Sequence, residues 1–276
     1  MIIPLNQERL LYPEILWERP LNIYRTKGQV FVLAGKKQNS PLFAFCEVIY
    51  QLKFPQIKIG LPEHYCRKLK GLLPAEILLP LPATKFDTFA SITVPYITKE
   101  AKHSQLLVLG IGMDEDSQLE EIIKQLLLLP CDIIFINEGI IQEKSFYQNH
   151  PAFSLYFLDP QKMGQWINAK ETTVLENPLF AISQLQEKLN SRELVVLSLP
   201  EKNFIFDQGQ TVLTKTENKN LFLLLALTTA FWSQNHQKPF QSAVTAAYVT
   251  RVFTENHHQI GEINQIIEQI GEGNET

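Results

Sequence analysis

The chain has 276 residues, 45% of them hydrophobic, which is enough to bury a sizeable core and argues against extended disorder. Twenty-five Lys and Arg against 29 Asp and Glu leave a formal charge of −4, and the lysines are scattered along the chain, so the basic stripe of a nucleic-acid binder is missing. Cys46, Cys66 and Cys131 lack CxxC spacing and the start of the chain shows no signal-peptide pattern, which together predict reduced thiols in a cytoplasmic protein, not a disulfide frame or a zinc site.

In chain order, residues 1–25 form an irregular lead-in broken by Pro4, Pro13 and Pro20, with Leu10, Leu11, Ile15, Leu16 and Trp17 turned toward the core. The run QVFVLA (29–34) predicts the first strand, ending in Gly35, and 42–52 a helix. Strand 57–61 and helix 62–72 follow, the helix with Pro62 in its first turn. A Pro-rich passage, 74–82, surrounds a short strand at 76–79, and 84–103 reads as one or two helical pieces broken by Pro95.

The stretch LLVLGIGMDEDSQLEEIIKQLLLLPCDIIFINEG (106–139) is one strand–helix–strand unit. Its strands, 105–109 and 132–136, are continuous apolar runs, as expected where both faces of a parallel sheet are covered, and Leu119, Ile122, Ile123, Leu126 and Leu127 give the connecting helix 116–129 its apolar stripe. Between them Gly110 and Gly112 allow a sharp turn that comes close to a ligand, and the acidic run 114–116 suits a helix N-terminus. Ligands of open α/β sheets lie at the carboxyl ends of strands, which makes this turn a candidate binding element; a plain strand-to-helix corner uses the same residues. Asn137, Glu138 and Asp159 are expected at strand ends on the same side as the two glycines, where they would bind a polar small molecule or serve as caps and turns.

Beyond this unit come a short helix at 139–148, a strand at 153–158, a helix holding Trp166, a helix at 178–189 and a strand at 194–199. Runs 203–206 and 210–214, joined by Asp207-Gln208-Gly209, predict a hairpin. Helices at 220–234 and 240–254 and a short one at 262–270 close the chain, the last in a tail spanning 256–276. The longest apolar run, LFLLLALTTAFW (221–232), falls short of the roughly twenty residues that cross a bilayer and reads as a buried core helix, so no membrane association is expected. His257-His258 lacks a third ligand at useful spacing, and no metal site is expected. The alternation predicts an α/β protein with a three-layer, doubly wound, mostly parallel sheet, folded as one domain over 1–276.

The order of these features resembles the ADP- or ATP-dependent NAD(P)H-hydrate dehydratases, lyases of metabolite repair in the ribokinase-like superfamily. Thr26-Lys27-Gly28 before the first strand is similar to the family's His-Lys-Gly lead-in, and Gly110-Ile111-Gly112-Met113-Asp114 to its Gly-Leu-Gly-x-Asp. Phe135-Ile136-Asn137-Glu138-Gly139 stands where the family has a strand ending in Asp-Ala-Asp-Ala, Leu158-Asp159-Pro160-Gln161 where it has Leu-Thr-Pro-His, and Val195-Val196-Leu197-Ser198 where it has Val-Val-Leu-Lys. The hairpin around Gly209 and the last two long helices fit in length and spacing.

The resemblance implies a ribokinase-like fold, a nucleotide or NAD(P)H-derived small molecule as partner, and ADP or ATP with Mg as cofactor if the activity persists. It also exposes departures. The family's Gly-Ser/Thr-Gly-Asp, whose backbone N–H groups hold the transferred phosphate and whose Asp is the general base, corresponds here to Glu217-Asn218-Lys219-Asn220-Leu221-Phe222. Leu221 or Phe222 then stands for the Asp, Ser198 for the strand Lys, and Asp159-Pro160-Gln161-Lys162-Met163-Gly164 for Thr-Pro-His-Pro-Gly-Glu. Lys219 and Asn220 remain as candidates to meet a phosphate at this helix start. Three readings follow: a diverged homologue with impaired catalysis, a pseudoenzyme, that keeps a nucleotide or dinucleotide pocket through Gly110, Gly112, Asn137, Glu138, Lys219 and Asn220; an active enzyme with a relocated base, Asp159 or Glu217; or a structural or interaction subunit whose buried helices serve assembly, for example as a homo-oligomer.

Overall fold

The computed structural model describes residues 2–17, 29–37, 39–52, 56–113, 117–137, 144–147, 150–216, 220–235 and 237–273. In chain order the elements are β1 (Leu5–Asn6), α1 (Glu14–Trp17), β2 (Gln29–Ala34), α2 (Asn39–Gln51), β3 (Ile57–Pro62), α3 (Glu63–Leu69), β4 (Leu78–Leu81), α4 (Val94–Lys102), β5 (Ser104–Ile111), α5 (Ser117–Leu126), β6 (Asp132–Ile136), β7 (Ser154–Leu158), α6 (Pro160–Ile167), α7 (Glu171–Glu176), α8 (Pro178–Gln186), β8 (Glu193–Leu199), β9 (Lys202–Phe206), β10 (Thr211–Lys215), α9 (Leu221–Gln234), α10 (Pro239–Glu255) and α11 (Ile263–Gly271). The strands belong to a ten-stranded mixed sheet in the order β1-β10-β9-β8-β7-β6-β5-β2-β3-β4. This is the expected α/β architecture.

The chain forms two compact units, one of Met1–Thr26, Phe43–Pro55 and Leu155–Thr276, the other of Lys27–Leu42 and Gln56–Ser154. In the second unit β3, β2, β5 and β6 pair in parallel, with Val30, Phe31, Val32, Leu33, Leu107, Val108, Leu109, Ile133, Ile134 and Phe135 fully buried. Their lack of alternation is the mark of strands covered on both faces. β5 runs two residues further than its apolar pattern suggests. Leu33 pairs with Leu109 and Ala34 with Ile111, so Gly110, at φ +117°, is the extra residue of a β-bulge and not the first residue of a turn.

Pro95 does not break a helix, contrary to expectation. It occupies the first turn of α4, where its missing N–H would have had no partner in any case. Residues 84–89 are a loop, closed by a bridge between Ala83 and Phe89. The short helix expected at 139–148 lies largely outside the described residues.

In the first unit α9 is apolar on every side and buried from Leu223 to Ser233. Such a helix needs cover all round, and α10, itself packed against β8, β9 and β10, supplies part of it. The Asp207 carboxylate turns the hairpin by accepting from the Gly209 and Gln210 N–H groups at 2.8 and 2.9 Å. The lead-in is less irregular than its prolines suggest. β1 adds a parallel edge to β10, and the buried Gln7 side chain accepts from the Thr214 hydroxyl at 2.5 Å and donates to the Val244 carbonyl at 3.2 Å. Arg251 of α10 donates to the Gln7 and Glu8 carbonyls. No helix among the described residues is long and apolar enough to cross a membrane.

All three cysteines are free and buried. Burial pushes the Cys46 thiol from 9.0 up to about 12. It raises Cys131 to about 11, aided by the nearby Asp132 charge. An acid whose folded pKa is raised contributes stability below its unfolded pKa and loses it as pH rises toward the folded value. Unfolding free energy should therefore fall between pH 9 and 11 with a slope that Cys46→Ala and Cys131→Ala each reduce, read by urea titration across that range. A thiol reagent should find no reactive cysteine in the native protein and three after denaturation; two missing thiols would contradict the free state.

The buried His150 ring lies between two backbone carbonyls, with Nδ1 3.1 Å from the Leu127 oxygen and Nε2 3.0 Å from that of Cys131. It closes the segment that joins α5 to β6. His150→Ala removes the donor and should cost about 1–3 kcal/mol by urea denaturation; a change below about 0.5 kcal/mol would show that the ring is not needed there.

Candidate functional site

In the second unit the chain passes from β2 to β3 and β4 on one side and then returns to place β5 on the other side of β2. The carboxyl ends of β2 and β5 therefore flank a topological switch point, where the connecting loops diverge and leave a crevice. Both ends carry a glycine turn. The Gly35 N–H donates to the Ile111 carbonyl at 2.8 Å, and the Lys37 N–H to the Gly112 carbonyl at 2.9 Å.

These bonds draw the two backbones so close that side chains cannot fit. A Cβ on Gly35 would lie 2.2 Å from the Gly112 oxygen, and one on Gly112, at φ +62°, 2.1 Å from the Lys37 oxygen. Gly112 thus serves a backbone clamp.

Beside the clamp a small cleft, open to solvent and with room for about 20 Å³, little more than a water molecule, is lined by Gly35, Lys36, Pro62, Asp87, Thr88, Phe89, Met113 and Leu119. Lys36 donates from Nζ to the Phe86 carbonyl, and Lys68 Nζ lies 3.7 Å from the Asp87 carboxylate. Asp87 holds φ +59°, the left-handed conformation that Asp tolerates at tight turns. None of Lys36, Asp87 or Thr88 stands out in the sequence. The available signal is Gly35 directly after an apolar strand, and it becomes informative once the strand order is known.

Asn137 directly follows β6, which runs parallel to β5, so it shares the carboxyl side of the sheet with Gly110 and Gly112. Gly110 sits in the bulge within β5. In the first unit Asp159 follows β7 and caps α6, its Oδ1 accepting the Lys162 N–H at 2.7 Å. Asn220 caps α9 in the same manner, accepting the Leu223 N–H at 3.1 Å. Ser198 is buried in β8 opposite Asn203 of β9. Glu138, Glu217 and Lys219 lie outside the described residues, as do 26–28 and 114–116.

The α9 start differs in sequence from the phosphate-holding pattern that the resemblance implies. Its Leu223 N–H is already taken by the Asn220 side chain, no glycine opens the backbone, and Leu221 and Phe222 bring no group able to accept a proton. Among the described residues no group of three or more His, Cys, Asp or Glu side chains is placed to hold a metal ion.

No family model matches the sequence, and no curated protein matches it. Solved structures do. A hypothetical protein from Streptococcus mutans superimposes with a TM-score of 0.73 at 12% identity, covering 100% of both chains. A ribokinase-like superfamily protein from Enterococcus faecalis gives 0.71 at 14% identity over 96% of each. The fold is ribokinase-like. The ADP/ATP-dependent NAD(P)H-hydrate dehydratase from Bacillus subtilis, co-crystallised with ATP and Mg2+ and soaked with CoA, shares this ribokinase-like fold at a TM-score of 0.68 and 14% identity over 99% of each chain. At such identities the likeness is one of fold, and side-chain chemistry must be argued from the residues themselves.

The clamp gives a direct test. Gly112→Ala forces a left-handed alanine into a carbonyl and should lower the unfolding free energy by more than about 2 kcal/mol. Gly261→Ala, where an added Cβ meets nothing within 4 Å, should change it by less than about 0.5 kcal/mol. Equal effects in chemical denaturation would refute the close-approach explanation.

Proposed function

We propose that this protein is a diverged homologue of NAD(P)H-hydrate dehydratase that keeps a small-molecule pocket for a nucleotide or NAD(P)H-derived ligand and has lost efficient phosphoryl transfer. One observation carries the reading: α9 opens with Asn220-Leu221-Phe222, and its Leu223 N–H is capped by its own asparagine. Phosphoryl transfer depends on an anion cradle and a positioned base, and removing such an element commonly costs orders of magnitude in rate. The retained pocket is assigned to the carboxyl ends of β2 and β5, on the support of the crevice there and the two glycine turns.

The alternative of a relocated base rests on Asp159 or Glu217. Asp159 is committed to capping α6 through the Lys162 N–H, which favours a structural role for it. A coupled absorbance assay for regenerated NAD(P)H, run with ADP and with ATP, should show negligible dehydration of the hydrate, and Asp159→Ala and Glu217→Ala should leave that background unchanged. Turnover matching a competent dehydratase and abolished by either substitution would instead establish a relocated base. A thermal-shift panel with ADP, ATP, NADH and the hydrate tests the pocket, since a ligand that binds the native state raises the melting temperature by an amount that grows with its concentration relative to Kd. No shift with any of them would favour a structural or interaction subunit.

A further inference from the structure

Helices α4 and α5 pack side by side in the second unit, and a groove open to solvent runs along their seam. Its room of about 450 Å³ falls within the range of roughly 300–1,000 Å³ that small-molecule sites occupy. Val94, Thr98 and Lys102 recur at every fourth position of α4, with Pro95, Lys99 and His103 beside them, and Gln125 of α5 stands across. Residues spaced by four share a helix face, so these side chains form one continuous wall. At a rise of roughly 1.5 Å per residue, the wall over 94–103 is about 14 Å long.

The two ends of the wall differ in chemistry. Val94 and Pro95 make one end apolar, whereas Lys99 and Lys102 make the other cationic, with the His103 imidazole beside them. Carboxylates of the same two helices are engaged: Glu100 binds Lys58 at 2.7 Å, and Glu120 binds Lys124 at 2.6 Å. Glu121 accepts from the Gln125 amide at 3.1 Å, a single carboxylate against two ammonium groups. The side chains of Lys99, Lys102 and His103 make no hydrogen bond or ion pair to another described residue. Basic groups in a last helical turn do offset its carbonyl end, but that end carries only about half a charge. The groove therefore keeps a local surplus of positive charge on a chain that is acidic as a whole.

We infer that this groove binds a small amphipathic anion, with a carboxylate or phosphate monoester head held by Lys99 and Lys102 and an apolar body laid past Thr98 toward Val94 and Pro95. Charge draws the head, and burial of methylene groups at the far end selects such a ligand over an inorganic anion. His103 directly precedes Ser104, the first residue of β5, so the basic end lies at the amino edge of the parallel strands and away from the crevice at their carboxyl ends. The inference is thus independent of the retained nucleotide pocket.

Amide NMR of the full chain, titrated with octanoate and with octyl phosphate, tests it, with octanol and inorganic phosphate as body and head alone. Both amphiphiles should shift the amides of 94–103 and 125 and bind at least fivefold tighter than either part, and the tighter of the two identifies the head. Lys99→Glu combined with Lys102→Glu should weaken both amphiphiles at least tenfold and leave octanol unaffected. Val94→Thr should weaken both amphiphiles and octanol at least threefold and leave inorganic phosphate unaffected. Lys170→Met, at an exposed position in the first unit, should change none of them. Lys99 and Lys102 are exposed and Val94 half-buried, so an unchanged melting temperature will confirm that the variants fold. Shifts scattered over other surfaces, or affinities unchanged by the double lysine substitution, would overturn the inference. So would the failure of both amphiphiles to bind at about 10 mM, because ligands of this size reach millimolar Kd at ordinary efficiency per atom. If nucleotides stabilise the protein while neither amphiphile binds, this inference fails and the pocket reading stands.

Discussion

The contact on which the second unit depends is the backbone clamp between the ends of β2 and β5. Two N–H···O bonds, Gly35 to Ile111 and Lys37 to Gly112, carry the ladder beyond the strands and close the sheet where the loops part. Their geometry requires glycine because the carbonyls occupy the space of a Cβ. Everything at the crevice is positioned from this fixed base: Lys36 between the two bonded residues, and Met113 just past the second. A phosphate-loop glycine and a clamp glycine look the same in one dimension. The distance to the neighbouring carbonyl distinguishes them.

At the start of α9 the chemistry is decided by competition for N–H groups. The first turn of any helix offers N–H groups without intrahelical partners, and these attract anions when nothing closer is available. Here a neutral carboxamide from the chain itself takes one of them. The following Leu223–Ser233 stretch is buried, so the helix is held chiefly by packing and would keep its place with or without a ligand at its end. An asparagine cap with an apolar continuation is in this way a stable helix start.

Much of the architecture was legible because buried parallel strands write themselves as apolar runs: 132–136 is read from the sequence with the bounds found in the fold, and the hairpin follows from Asp207 and Gly209. What escaped depends on partners distant in sequence. β1 is two residues long and exists because β10 offers an open edge. Gly110 is a bulge because of its register against β2, which no local pattern encodes. Pro95 looks like a breaker in the sequence, but its position in the first turn makes it harmless. At the site, the glycines and the Asp159 and Asn220 caps could be found as residue types, but Lys36 and loop 83–89 gain meaning from the reversal of strand order. Hydrophobic periodicity carries no trace of that reversal.

The pairing of β1 with β10 also has a consequence for how the chain assembles. Leu5 pairs with Val212, Gln7 with Thr214, and Arg251 reaches back to Gln7 and Glu8. A ribosome releases the amino end first, so this segment waits, unpaired, until the hairpin and α10 have emerged. Closing a loop of that length is entropically expensive and slow, which places the docking of the amino end among the last events of folding. The unit of residues 27–42 and 56–154 is synthesised before α9 and α10. Until α10 has emerged the first unit stays open, and that interval is when the apolar α9 sequence is most exposed to chaperones and to aggregation.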